Sequence, residues 1–303
     1  MDMKKRIMMS VICFLTVFST ACCSEQRLKI SLEPYSLRLN IFEPFIVRVT
    51  LTNIQKTSIQ IPYTLGTDPK LLDFDIRNSD GKKISYITHN GDMYYPPDYI
   101  SYTLKPRAKF VVWLNLSEGL TFKEPGSYSI KVRYNWNEQT VPSMPPLSTE
   151  SKDVSFSIEM PTGLDAEALK LLRDPPTVRI DNLKEQEDFY RTFIRNYHQS
   201  TYAKYAHEKL AEVLDTIMLV DPTLEHSDAA IKEWRLISTE YKNFGFTDYA
   251  KDRIGFNYQL SNRTEEALKF YNILLSDLLF PDSLKIRIRS RVNDMNRTRK
   301  IDR

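Results

Sequence analysis

Tyr128-Ser129-Ile130-Lys131-Val132-Arg133-Tyr134-Asn135-Trp136 alternates large apolar or aromatic side chains with polar ones. In an extended chain successive side chains point to opposite faces. This period of two therefore puts Tyr128, Ile130, Val132, Tyr134 and Trp136 on one side of a strand, with one buried face. The same alternation runs through Phe45, Val47, Val49 and Leu51, with Arg48, Thr50 and Thr52 between them. It recurs in Leu72, Phe74 and Ile76 around Asp73 and Asp75, and in Val154, Phe156 and Ile158. Asn78-Ser79-Asp80-Gly81 reads as a tight turn between two strands. About eight to ten short strands over residues 27–160 predict two packed antiparallel sheets, a β-sandwich.

Phe122-Lys123-Glu124-Pro125-Gly126-Ser127-Tyr128 opens the longest of these strands. It resembles the penultimate-strand signature of bacterial immunoglobulin-like domains: a phenylalanine, then Pro-Gly, then a tyrosine that begins a strand. Leu104-Lys105-Pro106, ahead of the strand at Phe110–Leu116, is similar to the turn that precedes it there. The resemblance implies an Ig-like fold over 27–160. It implies no chemistry, because such sandwiches carry many functions.

After Pro161 the period changes. Residues 161–180 read as a linker holding a short helix, Thr162–Arg173, which Pro175 and Pro176 end. From 181 to 303 apolar residues step by three or four, as a buried helix face requires. The stripes are Tyr190, Phe193 and Tyr197; Ala206, Leu210 and Leu214; Ala230, Trp234 and Ile237; Ala250, Ile254 and Tyr258; Ala267, Tyr271 and Leu274; Leu284, Ile288 and Val292. They also repeat. Tyr190, Tyr197, Tyr205, Ala206 and Leu210 recur in order as Trp234, Tyr241, Tyr249, Ala250 and Ile254, and Ala230 and Trp234 recur as Ala267 and Tyr271. Such recurrence predicts stacked helical hairpins with a shared core. Ile254-Gly255, Tyr258, Ala267 and Tyr271 resemble the small and aromatic positions of a tetratricopeptide repeat. The expected fold class is thus multidomain β + α, an Ig-like sandwich followed by a tetratricopeptide-like hairpin domain. The change of period at Met160 predicts that the two halves fold separately.

The start of the chain carries Lys4, Lys5 and Arg6, an apolar run from Ile7 to Phe18, and small residues before Cys22. These are the parts of a signal peptide over 1–21. Phe18-Ser19-Thr20-Ala21-Cys22 resembles a bacterial lipobox, which makes Cys22 the lipidation site and 22–26 an anchor and short linker. All 3 cysteines, Cys13, Cys22 and Cys23, lie in or beside this segment, so the body holds no disulfide and no thiol nucleophile. The formal net charge of +3 belongs mostly to the signal, which leaves no global field favouring nucleic acid.

Motifs for chemistry are sparse. His89, His198, His207 and His226 are scattered, without the i,i+4 spacing of a metal site, and read as surface residues. With 8 glycines in the whole chain there is no phosphate loop, and no cofactor or metal is expected. Asp73, Asp75, Asn78 and Asp80 are better explained by a hairpin than by a calcium loop. Two stretches suit binding. Tyr94, Tyr95, Tyr99 and Tyr102 surround Pro96-Pro97 in a candidate contact loop, and Lys209, Arg253 and Asn257 lie off the apolar stripes as candidate groove residues of the helical repeat. A basic C-terminus, including Lys285, Arg287, Arg289, Arg291 and Arg299, reads as a solvated helix face or an anionic-headgroup contact. The sequence as a whole predicts a non-catalytic lipoprotein of the bacterial cell envelope, body in the periplasm or outside, that binds a protein partner and meets the membrane through its N-terminal lipid. The alternatives are an envelope hydrolase with a dispersed acidic site and a protease-inhibitor-like sandwich.

Overall fold

The computed structural model describes residues 27–63, 71–85, 100–118, 122, 124–136, 146–173, 180–241, 244–277 and 280–301. Residues 1–26, which include Cys22, and Tyr94, Tyr95 and Tyr99 of the tyrosine loop lie outside the described residues.

Ten strands occur among the described residues of the first half: β1 (Leu28–Pro34), β2 (Arg38–Asn40), β3 (Ile46–Asn53), β4 (Ile59–Tyr63), β5 (Leu72–Asn78), β6 (Ile100–Leu104), β7 (Lys109–Asn115), β8 (Gly126–Trp136), β9 (Leu147–Glu150) and β10 (Val154–Glu159). One sheet runs β1-β3-β7. A second runs β2-β10-β8-β5 with β9 also on β8, and β4 pairs with β6 as a small third sheet. All pairings are antiparallel except that of β2 with β10. Register keeps apolar side chains on one face. Leu51 lies opposite Phe110 and Val49 opposite Val112 in the first sheet, and Phe74 opposite Val132 and Ile76 opposite Ile130 in the second. All five apolar residues of β8 are buried, as its alternation predicts. The two faces close on each other as a β-sandwich, β1 lying across β8 and β9.

Tyr128 does more than fill the core. Its hydroxyl donates to the Glu124 carbonyl at 2.7 Å, four residues upstream, the arrangement of a tyrosine corner. Its ring joins Phe45, Phe122 and Phe156 in one aromatic cluster, with Phe45 stacked on Phe156 at 4.4 Å. The Asn78 turn forms as expected: the Asn78 side chain accepts from the Lys82 N–H at 2.9 Å, and Gly81 takes the positive φ of 76° that closes it.

Seven helices follow among the described residues: α1 (Gly163–Leu172), α2 (Leu183–Tyr197), α3 (Ala203–Val220), α4 (Leu224–Thr239), α5 (Thr247–Leu260), α6 (Thr264–Ser276) and α7 (Asp282–Ile301). None is long and apolar enough to cross a membrane. From α2 onward each packs on its neighbour in sequence, and α3 also reaches α5 and α5 reaches α7. Ala206, Ala230, Ala250 and Ala267 are all fully buried, where small side chains let helices approach. Gly255 is the tightest such point. A Cβ there would stand 2.3 Å from the Tyr271 ring of α6, so only glycine fits.

The change of period at Met160 is not a break in the core. Buried residues of both halves form one continuous apolar cluster. The loop Asn40–Phe45 is the joint. Phe42 holds a positive φ of 66°, and Glu43 turns back to accept from the Asn40 N–H at 2.5 Å. Three residues at the start of α3 then grip it. Tyr202 donates to the Ile41 carbonyl at 2.8 Å, Tyr205 donates to the Glu43 carboxylate at 2.9 Å, and the Lys204 ammonium lies 3.4 Å from that carboxylate. Gly245 meets Ile46 so closely that a Cβ would lie 2.6 Å from it. At the edge of the first sheet, the Val111 N–H donates to Asp282, the first residue of α7. A helix thereby covers a strand edge that would otherwise offer unpaired backbone groups.

Candidate interaction face of the helical half

Helices α3, α5 and α7, the alternate members of the stack, share a ladder of polar side chains. Its first rung is Asp215 of α3, nearly buried. Trp234 of α4 donates its indole N–H to both carboxylate oxygens at 3.0 and 3.1 Å. Arg253 of α5 donates at 2.7 Å, and the Asn257 amide, one turn further, at 2.6 Å. Burial lifts the Asp215 carboxyl above its ordinary value, and the Arg253 charge with these donors pulls it back. Every neighbour is an N–H donor, so the group accepts them as a carboxylate. The second rung is Asp252 of α5, with no exposed surface, which takes Arg287 at 2.6 Å and Arg291 at 3.0 Å from α7. Arg291 also donates to the Tyr271 hydroxyl at 3.0 Å. Between the rungs the Phe256 ring is held by both guanidinium groups, Arg253 at 4.3 Å and Arg291 at 4.6 Å from its centroid.

The ladder relocates two of the three groove candidates. Asn257 is fully buried and Arg253 keeps 15% of its side-chain surface, because both are spent on Asp215 inside the stack. Neither lines an open groove. Lys209 does reach solvent, its side chain 50% exposed, and pairs with Glu212 on its own helix at 2.7 Å. The structure thus brings Arg253 and Asn257 together and leaves Lys209 two turns away on α3.

Tyr102, the described member of the tyrosine group, is not on an outer surface either. It sits on β6 with its ring 5.0 Å from Phe110, and burial raises its phenol, with Asp282 and Arg289 of α7 acting on it. That places it beside the joint between the halves. The C-terminal arginines are also partly committed: Arg287 and Arg291 to Asp252, and Arg299 to Glu265 of α6. His207 is not a surface residue but a half-buried partner of Glu233 on α4, at 2.8 Å. No group of three or more His, Cys, Asp or Glu is placed to hold a metal ion among the described residues.

On the sandwich, Asp73, Asp75, Lys83, Lys131, Arg133 and Glu150 line a shallow charged depression on the outer face of the second sheet. Lys131 and Arg133 both pair with Glu150, at 3.0 and 2.7 Å, and three acids balance three bases, so the surface presents no field of one sign.

No family model matches the chain, and no curated protein matches it in sequence. Among solved structures, the CARDB domain of a Pyrococcus furiosus protein in complex with di-metal ions is 12% identical, with a TM-score of 0.24 over 44% of this chain and 94% of that one. Native alpha-2-macroglobulin from Escherichia coli, from domain MG7 to the C-terminus, is 6% identical with a TM-score of 0.24, over 82% of this chain and 49% of that one. Likenesses at this level assign the chain neither family nor activity.

Proposed function

We propose that this protein is an exported, lipid-anchored scaffold of the bacterial cell envelope, in which an Ig-like sandwich carries a tetratricopeptide-like stack at a fixed angle and the stack binds a protein partner. The observation that carries the reading is the joint: buried hydrogen bonds from Tyr202 and Tyr205 to the Ile41–Glu43 loop make one body of two unlike halves. A scaffold has to transmit position, and a shared core does so where a flexible linker does not. The tetratricopeptide-like description draws support from the contacts of α3 with α5 and α5 with α7, and from the fit of Gly255 against Tyr271. The export signal and Cys22 supply the anchor, which needs more than one acyl chain to be stable.

The binding face is revised from the groove read in the sequence. It is centred on groups of the α3–α5–α7 side that keep surface: Lys209 and Glu212, with side chains 50% and 40% exposed, and the half-buried Phe256. Two arms test the proposal. Cys22→Ala should move the protein from the membrane to the soluble fraction. In the anchored protein, Lys209→Glu with Phe256→Ala should abolish recovery of the cross-linked envelope partner. Membrane retention of the Cys22 variant with its signal removed contradicts the anchor. Unchanged cross-linking makes the stack a spacer.

A further inference from the structure

One end of the first sheet gathers cations without an acid among them. Residues 27–32, 52–60 and 103–111 hold Arg27, Lys29, Lys56, Lys105, Arg107 and Lys109, and neither Asp nor Glu. The fold brings these three segments together. In the register of the sheet Lys29 and Lys109 stand on either side of Thr52, on the outer face, because their neighbours Leu28, Ile30 and Phe110 are buried. Backbone hydrogen bonds tie the turns at the strand ends. The Ile54 N–H donates to the Arg27 carbonyl at 3.2 Å, and the Arg107 N–H donates to the Asn53 carbonyl at 3.0 Å. The buried Asn53 side chain fixes the Lys56 turn as well, donating to the Thr57 and Leu104 carbonyls at 2.8 and 2.9 Å. All six cations are exposed, and among the described residues none of them is ion-paired. The acids that flank the sheet further along are engaged, Glu33 by Arg48 and Asp282 by the Val111 N–H.

Like charges on β1 and β7, about 10 Å apart across β3, repel each other, and an anionic surface removes that repulsion. The course of the chain selects the surface. Cys22 stands five positions before Arg27, a stretch that spans about 18 Å at most when fully extended. A lipid on Cys22 therefore brings these cations to the headgroups. We propose, on the reading of Cys22 as a lipid anchor, that this end of the sandwich lies on anionic lipid headgroups and that the basic patch and the acyl anchor hold the membrane together. A polybasic patch is the kind of second signal that makes acyl anchoring stable. Ile54, 46% exposed among the cations, enters the headgroup layer in this orientation. The joint meets Ile46, at the opposite end of β3 from Asn53, and so stays clear of the bilayer.

Vesicle co-sedimentation of the chain from Arg27 to Arg303 tests the face without the anchor. The chain should bind vesicles of mixed phosphatidylglycerol and phosphatidylcholine, leave pure phosphatidylcholine unbound, and come off as salt shortens the Debye length. Each basic residue at such a surface contributes about fivefold to partition, so Lys29→Gln with Lys105→Gln and Lys109→Gln should weaken binding about a hundredfold. The same charge taken from exposed positions of the stack, Lys232→Gln with Lys269→Gln and Arg297→Gln, should weaken it less than about threefold, since those groups lie beyond the reach of the surface field. Equal losses from the two variants overturn the proposal. So does wild-type chain that binds neither vesicle or both alike. Poly-glutamate bound through the same three lysines, with the vesicles left unbound, assigns the face to an acidic protein and overturns it too. This chain lacks Cys22, so each of these failures is distinct from membrane retention of the Cys22→Ala variant, which contradicts the anchor alone.

Discussion

The sandwich and the helical stack bury different things. Apart from Glu43 at the joint, the polar groups buried in the sandwich are short and neutral, such as Asn53, Thr149 and Ser151, each hydrogen-bonded to backbone. In the stack they include Asp215, Asp252, Glu208 and Asn257. Geometry explains the contrast. A strand in a two-layer sandwich has one inner and one outer face, and a period of two sorts residues between them. A helix inside a stack is packed by the helix before it and the helix after it, and α3 and α5 also touch each other. Such a helix has too little free surface to expose all its polar side chains, and those that turn inward must find partners.

The contrast can be broken most sharply at Asp215. Asp215→Ala leaves the Trp234 indole, Arg253 and Asn257 facing one another without an acceptor. Breaking a buried ion pair in this way costs about 3–5 kcal/mol. The urea midpoint of the whole chain should fall accordingly, while a loss no larger than that of a surface change would mean that the ladder is ornamental. The opposite extreme lies on the sandwich. Arg133 and Glu150 are paired as closely as the ladder groups but in solvent, so Arg133→Ala should leave the midpoint almost unchanged in the same titration. A comparable loss from both substitutions would erase the distinction between the two regions.

The same geometry decides what could be read from the sequence. Alternation in β8 named all five of its buried residues, because a sheet face depends only on parity. The stripes through Ala206, Ala230, Ala250 and Ala267 likewise found one buried face of each helix. The error at Arg253 and Asn257 came from treating the opposite side as free. A signal was present: Ala211 and Met218 are buried on α3 with Asp215 between them at helical spacing, a second apolar stripe that marks a helix covered on two sides. The joint was not legible. Glu43 meets Tyr205 across most of the sandwich sequence, and no local pattern records a contact of that range. Gly245 likewise looks like an ordinary loop glycine until Ile46 is placed against it. The change of period at Met160 reads as two separate units, whereas Tyr202, Tyr205, Gly245 and Asp282 tie them together.

That tie is the claim on which the scaffold reading stands, and differential scanning calorimetry of the chain from Arg27 to Arg303 tests it most directly. One body with a shared core should melt in a single transition whose calorimetric enthalpy equals its van't Hoff enthalpy. Glu43→Ala, which removes the acceptor of Tyr205 and Lys204, should broaden that transition or split it into two. Two resolved transitions in the wild type, with no change in either on Glu43→Ala, would show that the halves are independent domains and that the joint holds nothing together.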